Sequence, residues 1–338
     1  MDYFLLQQHK KLLHNIFNAD QIFDLHIPFH GFHHELIREL QLKSVPIILE
    51  LPRAILTAPV LDRPIWAQDT WPGCKIINCA AAAENKNEKI AIDFLKSQPC
   101  LGVYHQVEVN KISDRIHKKI KVLPLKRIQY QPDHPFNFKF YTWTMVSDFL
   151  IFCNQPTQRF PLGWHEFAED KMNPPNRAYL KLWELFSVYN MAPQKNPEVL
   201  EIGASPGGWS WVLSQHAAIV HTIDRADLDQ KIKNIKHINH KIGDAFKLKP
   251  QDYQKCTWFY SDLICTPEKI YETVCYWIKN SEIKNFICTI KFKGACDFEI
   301  LKKIQNMPNS KIIHLYQNKN EVTWVKSMDQ NLELKKYE

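Results

Sequence analysis

Glycine and long apolar runs are both scarce in this chain. It has nine glycines in 338 residues, against 20 prolines. No apolar run approaches the roughly 20 residues that a membrane-spanning helix requires. The N-terminal residues form an amphipathic pattern interrupted by polar side chains, which is not that of a signal peptide. No internal repeat or low-complexity tract occurs. We therefore expect no membrane partner and a cytoplasmic location.

Paired cysteines are also missing. The nine cysteines are scattered, and the sequence contains no CxxC pair. An odd number of scattered cysteines favours reduced thiols over a disulfide framework or a zinc site. The cluster His30–Glu35, "HGFHHE", has no distant set of partner ligands. We therefore expect no metal.

The composition is that of a globular protein with a real core, because 45% of the residues are hydrophobic. The length favours two or three domains. The net charge is +7, and one run, Arg115–Arg127, holds six basic residues and no acid. Such a run fits a solvated surface as well as it fits one that follows RNA phosphates.

The first half of the chain reads as mixed α and β. Its apolar pattern predicts helices at Tyr3–Phe17 and Ile90–Lys96, and strands at Val45–Leu51, Lys119–Leu125, Phe136–Trp143 and Met145–Cys153. Irregular sequence follows from Asn154 to Pro175 and ends in two consecutive prolines. Because such a pair disfavours helix and stiffens a connector, we expect a domain boundary there.

After Pro175 helices and strands alternate, which predicts an α/β domain: a mostly parallel sheet with helices on both faces. The predicted helices are Arg177–Tyr189, Gly207–His216, Pro267–Lys279 and Asp297–Gln305. The predicted strands are Glu198–Ile202, Ile219–Asp224, Thr257–Asp262, Asn285–Phe292, Lys311–Tyr316 and Glu321–Lys326.

Three of the scarce glycines follow the first of these strands, in "VLEIGASPGGWSWVL" at residues 199–213. Open α/β sheets bind ligands beyond the carboxyl ends of their strands. Glycine permits a sharp turn there and leaves bare backbone beneath a ligand. Asp224 ends the next strand, in position to hydrogen-bond a ribose diol, and Asp244 is placed to meet an adenine edge. These residues predict a nucleoside-bearing cofactor.

The segment "EIGASPGGWS" resembles the first motif of S-adenosylmethionine methyltransferases, in the DxGxxPGG form of the FtsJ-like RNA ribose 2′-O-methyltransferases. Glu201 stands where the family has aspartate and keeps an acceptor for the methionine amino group. The resemblance implies a Rossmann-like methyltransferase domain and S-adenosyl-L-methionine as cofactor. Trp209 is most simply helix packing but is also in position to line the pocket. The cofactor-binding residues implied are Glu201, Gly203, Ala204, Ser205, Pro206, Gly207, Gly208, Trp209, Asp224, Asp244 and Asp262.

The same family carries a Lys-Asp-Lys-Glu tetrad, and the chain is similar at all four places. "NRAYLKL" supplies Lys181, "FYSDLICTP" supplies Asp262, "ICTIKFKG" supplies Lys291 and "NKNEVTWV" supplies Glu321. Each residue alone has an ordinary structural explanation, but four matches in the right order favour a catalytic set. Lys293 competes with Lys291, which we prefer because it directly ends an apolar run.

Methyl transfer to a ribose hydroxyl requires positioning and a base near the oxygen. A lysine acts as a base at neutral pH only if its pKa lies below the usual value of about 10.4. Nearby positive charge lowers it. We expect Lys291 to take or steer the hydroxyl proton and Asp262 to orient Lys291. Lys181 and Glu321 would complete the network.

Over its length the chain is similar to the bacterial 23S ribosomal RNA ribose 2′-O-methyltransferase family RlmM. Arg53–Gly73 resembles the segment that closes that family's first domain. The implied domains are an N-terminal α/β domain at 1–75, a THUMP-like RNA-binding region at 76–165 and an FtsJ-like methyltransferase domain at 166–338. The implied partner is RNA, specifically ribosomal RNA.

Two alternatives stay open at this point. One is a 2′-O-methyltransferase that acts on tRNA or on an mRNA cap. The other is a non-catalytic RNA-binding protein that keeps a methyltransferase fold. The complete tetrad favours an enzyme, and the long N-terminal half disfavours a minimal tRNA enzyme.

Overall fold

The computed structural model describes residues 11–15, 21–80, 84–131 and 139–328, without the side chains of residues 84–87. The chain forms two compact units, Met1–Lys126 with Phe136–His165, and Arg127–Pro135 with Glu166–Glu338. Each unit contains one seven-stranded sheet, which confirms the predicted mixed α/β class. Within the described ranges no helix is long and apolar enough to span a bilayer. The predicted helix Tyr3–Phe17 lies mostly outside them, and residues 11–15 are helical.

The first unit has a largely antiparallel sheet in the order β2-β3-β1-β4-β7-β6-β5. Its β5–β6 pair is parallel, and the other neighbouring pairs are antiparallel. The strands are β1 (Phe23–Pro28), β2 (Ile47–Leu51), β3 (Ala54–Thr57), β4 (Ala67–Asn78), β5 (Leu101–Tyr104), β6 (Phe140–Val146) and β7 (Phe149–Cys153). The helices are α1 (His33–Leu42), α2 (Glu84–Lys96) and α3 (Lys111–His117).

Strand β4 connects the two halves of this sheet. Its residues as far as Cys74 pair with β1, and its residues from Lys75 to Asn78 pair with β7. The pairing partner thus changes next to the predicted boundary between residues 75 and 76. Trp71 is buried in the core cluster that β1 and β7 share, whereas Trp143 is buried in a second cluster with α2. One continuous strand, β4, therefore runs across the predicted boundary. The division into domains at this point stays a prediction.

Three strand predictions in the first half differ clearly from the structure: one segment is not a strand, and two strands have other limits. Residues 136–138 of the predicted strand Phe136–Trp143 lie outside the described residues. The segment Lys119–Leu125 is not a strand, because only Val122 forms a bridge, to Gly102, and most of its side chains are exposed. The apolar run between Phe140 and Cys153 is one hairpin with a turn at Ser147 and Asp148. Because the run is apolar on both sides of that turn, its pattern did not show where the strands divide.

The second unit has the sheet order β10-β9-β8-β11-β12-β14-β13. The five strands from β10 to β12 are parallel, and β14 and β13 are antiparallel to their neighbours. The strands are β8 (Glu198–Ile202), β9 (Ile219–Asp224), β10 (Ile238–Ile242), β11 (Cys256–Ser261), β12 (Asn285–Lys291), β13 (Ser310–Ile313) and β14 (Glu321–Lys326). The helices are α4 (Tyr179–Ser187), α5 (Gly208–Leu213), α6 (Gln230–Lys233), α7 (Pro267–Asn280) and α8 (Phe298–Gln305).

The predicted elements of the second half agree closely with these bounds. The predictions for β8, β9 and β14 have the observed limits, and α8 begins after Asp297, whose side chain accepts from the backbone of Glu299 and Ile300. Strand β10 was missed. Its sequence, "INHKI", lies at the sheet edge with one buried residue, so it lacks the apolar run of an inner strand.

Candidate active site

Four charged residues meet at the edge of the second sheet where the parallel strands end. Lys181 lies on α4, Asp262 follows β11 and Lys291 ends β12. Glu321 begins β14, which runs antiparallel to β12, so Glu321 is the direct register partner of Lys291. The topology therefore brings the four predicted catalytic residues to one place.

Ion pairs connect these four side chains. Lys181 Nζ lies 2.6 Å from Glu321 Oε1 and 3.2 Å from Asp262 Oδ1. Lys291 Nζ lies 2.9 Å from the same Asp262 oxygen and donates to the Asp262 backbone carbonyl at 2.7 Å. The side chain of Lys291 is 22% exposed, against 10% for Lys181 and Glu321 and 15% for Asp262. Lys291 is therefore the member that a substrate reaches most easily.

The charges in this network support one another. Burial raises the pKa of Asp262, but the ammonium groups of Lys181 and Lys291 outweigh burial and hold that pKa below its usual value. Burial lowers the pKa of Lys181, but Asp262 and Glu321 outweigh it and hold that pKa above its usual value. Asp262 is thus an anion and Lys181 a cation across the neutral range.

Two observations refine the predicted set. The Thr289 hydroxyl donates to Asp262 Oδ1 at 2.7 Å, and sequence reasoning missed this residue. Its position two residues before Lys291 on one strand, hence on the same face, was the available signal. The competing Lys293 is exposed and, among the described residues, has no recorded ion pair or hydrogen bond with the tetrad.

The glycine turn after β8 is constrained by conformation and packing. Gly203 has φ +75°, and a Cβ there would lie 2.9 Å from the backbone nitrogen of Leu263. Gly207 has φ +112°, and a Cβ there would lie 2.9 Å from the Ile232 side chain. The sequence argument explained these glycines by a sharp turn and by the close approach of a ligand, and the positive φ values agree with the first reason. The structure adds that a side chain would strain the turn and strike its neighbours.

Glu201, at the fourth position of β8, has a buried carboxyl group. The Ser210 hydroxyl donates to Glu201 Oε2 at 2.6 Å. Burial raises the pKa of Glu201 to about 8; the Ser210 hydrogen bond opposes this shift, and the nearby Asp262 and Asp224 carboxylates add to it. Three acids at neighbouring strand ends therefore favour a cation beside Glu201.

Asp224 and Asp244 both lie at loops that follow strands. Asp224 ends β9 and accepts from the backbone nitrogens of Ser205, at 3.0 Å, and Ala226, at 2.9 Å. Asp244 lies at the turn after β10, where it accepts from the backbone of Phe246 and from Arg225. The first of these contacts lowers the Asp244 pKa most. Asp224 thus ties the glycine turn to the end of β9.

The remaining predicted cofactor residues differ in accessibility. Ser205 and Pro206 are partly exposed in the turn, whereas Ala204 is buried. Gly208 begins α5 against Asn176. Trp209 is 2% exposed and its indole nitrogen donates to the Ala178 carbonyl at 3.0 Å. Trp209 therefore packs the helix against its neighbours, which is the simpler of the two roles considered for it.

The order of the sheet places β8 between β9 and β11, with the glycine turn where the chain connections change direction. Open α/β sheets bind nucleoside cofactors at this point, and the second unit has the strand order of a Rossmann-like domain. Residues 174–321 match the family model of FtsJ-like methyltransferases. This match confirms the resemblance to that family seen in the motifs of the same segment.

Curated relatives extend the similarity beyond this segment. The ribosomal RNA large subunit methyltransferase M of Aliivibrio fischeri is 24% identical over 86% of this chain and 80% of its own length. The protein of the same name from Vibrio vulnificus is 28% identical over 44% of this chain and 46% of its own. The solved fibrillarin pre-rRNA processing protein of Methanococcus jannaschii is 23% identical and covers 40% of this chain and 67% of its own, with a TM-score of 0.32.

Proposed function

We propose that this protein transfers a methyl group from S-adenosyl-L-methionine to a ribose 2′-hydroxyl of RNA, and that its substrate is 23S ribosomal RNA of the large subunit. The observation that carries the proposal is the convergence of Lys181, Asp262, Lys291 and Glu321 beside the glycine turn. The large-subunit substrate is supported by the curated relatives, of which one aligns over 86% of this chain.

The residues around the turn fit a cationic nucleoside cofactor. Asp224 presents a carboxylate at the end of β9, suited to a ribose diol, and Asp244 follows the next strand, where it would meet an adenine edge. The buried Glu201 carboxyl is suited to an ammonium group, which would stabilise its ionised form. When bound, S-adenosyl-L-methionine supplies a methyl group attached to a positively charged sulfur.

In this proposal the four tetrad residues position the ribose and manage one proton. The bond from O2′ to the methyl carbon forms as the carbon–sulfur bond breaks, and the electron pair stays on sulfur. Lys291, the most exposed of the four, first releases its ammonium proton to solvent, a loss that nearby positive charge favours. Its neutral Nζ then accepts the O2′ proton. Lys181 is unsuited to this role because its raised pKa keeps it protonated, so it holds Asp262 and Glu321 in place.

The first unit is proposed to hold the RNA. We keep residues 1–75 as an N-terminal α/β domain, 76–165 as a THUMP-like RNA-binding region and 166–338 as the methyltransferase domain. The basic run supports this proposal, since Lys118 and Lys121 are exposed. Such side chains recognise RNA through phosphate and shape, while the second unit acts on one ribose.

The test is a methyl-transfer assay with radiolabelled cofactor and transcripts of large-subunit ribosomal RNA, a tRNA pool and a capped mRNA. We expect label on the ribosomal transcript, on a ribose after nuclease digestion, and none on a DNA copy, which has no 2′-hydroxyl. Label on the tRNA or on the mRNA cap would show that this RNA, and not ribosomal RNA, is the substrate. Label on a base would refute the ribose assignment, and no transfer to any RNA despite cofactor binding would favour the non-catalytic alternative.

A further inference from the structure

A second cluster of chemically active side chains lies in the same sheet, near the N-terminal ends of its parallel strands. Glu198 begins β8, His221 is the third residue of β9 and Cys256 begins β11. One ligand atom of each residue lies within 4.8 Å of the other two. The network of Lys181 and Asp262 lies where the parallel strands end, whereas Glu198 and Cys256 lie where they begin, so the two clusters are distinct.

The register of the strands explains why these three residues meet. Cys256 is the direct register partner of Glu198, and His221 is the partner of Leu200, two residues along β8. Side chains two residues apart on a strand share a face, so all three point to one face of the sheet. His221 Nε2 lies 3.3 Å from Glu198 Oε2.

We propose that Glu198, His221 and Cys256 bind one divalent cation of the zinc class. Imidazole nitrogen, thiolate sulfur and carboxylate oxygen are the three ligand types that zinc takes in proteins, and a water molecule completes a tetrahedral site. This inference differs from the sequence expectation of no metal, because the ligands come from three separate strands and form no local motif.

The accessibility and spacing of the three side chains suit such a site. Cys256 is 1% exposed, whereas the side chains of Glu198 and His221 are 23% and 26% exposed, so a cation enters from their side. Ligand atoms around a zinc ion lie about 3.4 Å apart, given bonds of about 2.0 to 2.3 Å. Small rotamer changes of Glu198 and His221 therefore bring the three ligand atoms from within 4.8 Å of one another to the distances of a zinc site.

The charge state of the thiol is consistent with a site that the metal itself completes. Burial raises the pKa of Cys256 to about 12, and the Glu198 carboxylate adds to this shift. The thiol is thus protonated without a metal, and binding releases its proton. Because the site joins the beginnings of three neighbouring strands, a bound ion stabilises the second sheet.

Cobalt(II) is the probe that tests this inference in the full chain, because cobalt–thiolate bonds give a charge-transfer band in the near ultraviolet. We expect one equivalent of cobalt to produce this band and equimolar zinc to abolish it. Cys256→Ser and His221→Ala should each weaken cobalt binding at least 10-fold, and Cys256→Ser should remove the band. Zinc should raise the Tm of the unaltered chain, but not that of Cys256→Ser.

Cys265→Ser is the matched control, since Cys265 is a partly exposed free cysteine away from this cluster, and it should keep the band. Absence of the band in the unaltered chain would overturn the inference. Its persistence in Cys256→Ser would do so as well, because the thiolate would then be another cysteine. Both measurements are independent of methyl transfer, so they distinguish failure of this inference from failure of the proposed function.

Discussion

Lys291 and Lys293 are two lysines of one segment with different surroundings. Lys291 contacts Asp262, whereas Lys293 is exposed, so the pair provides a matched test of the proposed base. We expect Lys291→Ala to lower the rate of methyl transfer by about 10²- to 10⁴-fold, the usual contribution of a positioned acid or base. Lys293→Ala should stay within about 2-fold of the unaltered chain.

The affinity for S-adenosyl-L-methionine, measured by calorimetry, should be nearly unchanged in both variants. In the proposal Lys291 acts on the substrate hydroxyl and not on the cofactor. Equal losses of rate in the two variants would show that Lys291 has no special role. A rate loss confined to Lys293→Ala would show that Lys293, and not Lys291, is the base.

Glu201 makes the stability of the cofactor-free protein depend on pH. Its pKa is about 8 in the fold, against 4.5 as the ordinary value, so between these pH values the folded state holds a proton that the unfolded state has lost. The free energy of unfolding therefore falls as pH rises from 4.5 to 8. Glu201→Gln removes this term and should flatten the dependence.

Urea unfolding of both proteins at pH 6 and pH 8.5, without cofactor, measures this effect. The free energy of unfolding of Glu201→Gln minus that of the unaltered chain should be larger at pH 8.5 than at pH 6. The glutamine has nearly the same volume and keeps an oxygen to accept from Ser210. A parallel pH dependence in the two proteins would mean that Glu201 is ionised throughout.

At the level of elements, the turn that precedes β14 holds two members of the tetrad in register. The Asn320 side chain donates to the backbone carbonyls of Phe292, at 3.0 Å, and Gly294, at 2.8 Å. It therefore fixes the chain just after Lys291 to the chain just before Glu321. This contact lies outside the tetrad but determines how its two strands are aligned.

We expect Asn320→Ala to reduce the methyl-transfer rate about 10-fold without changing cofactor affinity, because a small misplacement of a catalytic group is costly. The loss of two hydrogen bonds at an exposed turn should lower the free energy of unfolding by about 1 to 2 kcal/mol. Lys319→Ala, at the adjacent exposed residue, is the control. Equal kinetics in Asn320→Ala and Lys319→Ala would show that the turn does not position the tetrad.

The elements differ in how far the sequence determined them. In the second unit, buried strands appear as short apolar runs between turns, and so β8, β9 and β14 were predicted with their observed limits. The four tetrad residues, chosen by resemblance to a family motif, lie together in the structure, and their catalytic role stays a prediction. Thr289 was missed, since a threonine inside a strand has no charge to single it out.

The first unit was predicted less well for a physical reason. Its strands β1, β3, β4 and β5 went unrecognised, and the basic segment Lys119–Leu125 was taken for a strand. Strands β1, β4 and β5 pair with strands far apart in sequence, so no local pattern records their pairing. Strand β3 is only four residues long, in a tight hairpin with β2. The structure also shows what composition could not, that Glu88 pairs with Arg115 and with Lys119, at 3.0 Å from the latter.

At the level of the whole molecule, this pairing changes which basic residues are available to RNA. Lys118 and Lys121 are exposed, whereas Arg115 and Lys119 share the Glu88 carboxylate. We expect the double variant Lys118→Glu and Lys121→Glu to bind the ribosomal transcript more weakly. The slope of log affinity against log salt should flatten by about 2, because fewer counterions are released.

Lys255→Glu with Lys284→Glu is the control, since it makes the same change in net charge just before β11 and β12. Filter binding at several salt concentrations measures both slopes. Equal slopes in the two double variants would show that the basic run is an ordinary solvated surface that does not contact RNA. Cofactor affinity should be the same in all three proteins.

The second unit is not one continuous stretch of chain, since it also includes Arg127–Pro135. Tyr130 from that stretch stacks on Trp183 of α4, with ring centroids 4.5 Å apart and planes within 8°, and its hydroxyl hydrogen-bonds His216 at 2.7 Å. A fragment cut at residue 166 would lose this cover and expose the Trp183 indole on the helix that carries Lys181. A fragment of the second unit that keeps this contact must therefore include Tyr130 as well as the residues from 166 onward.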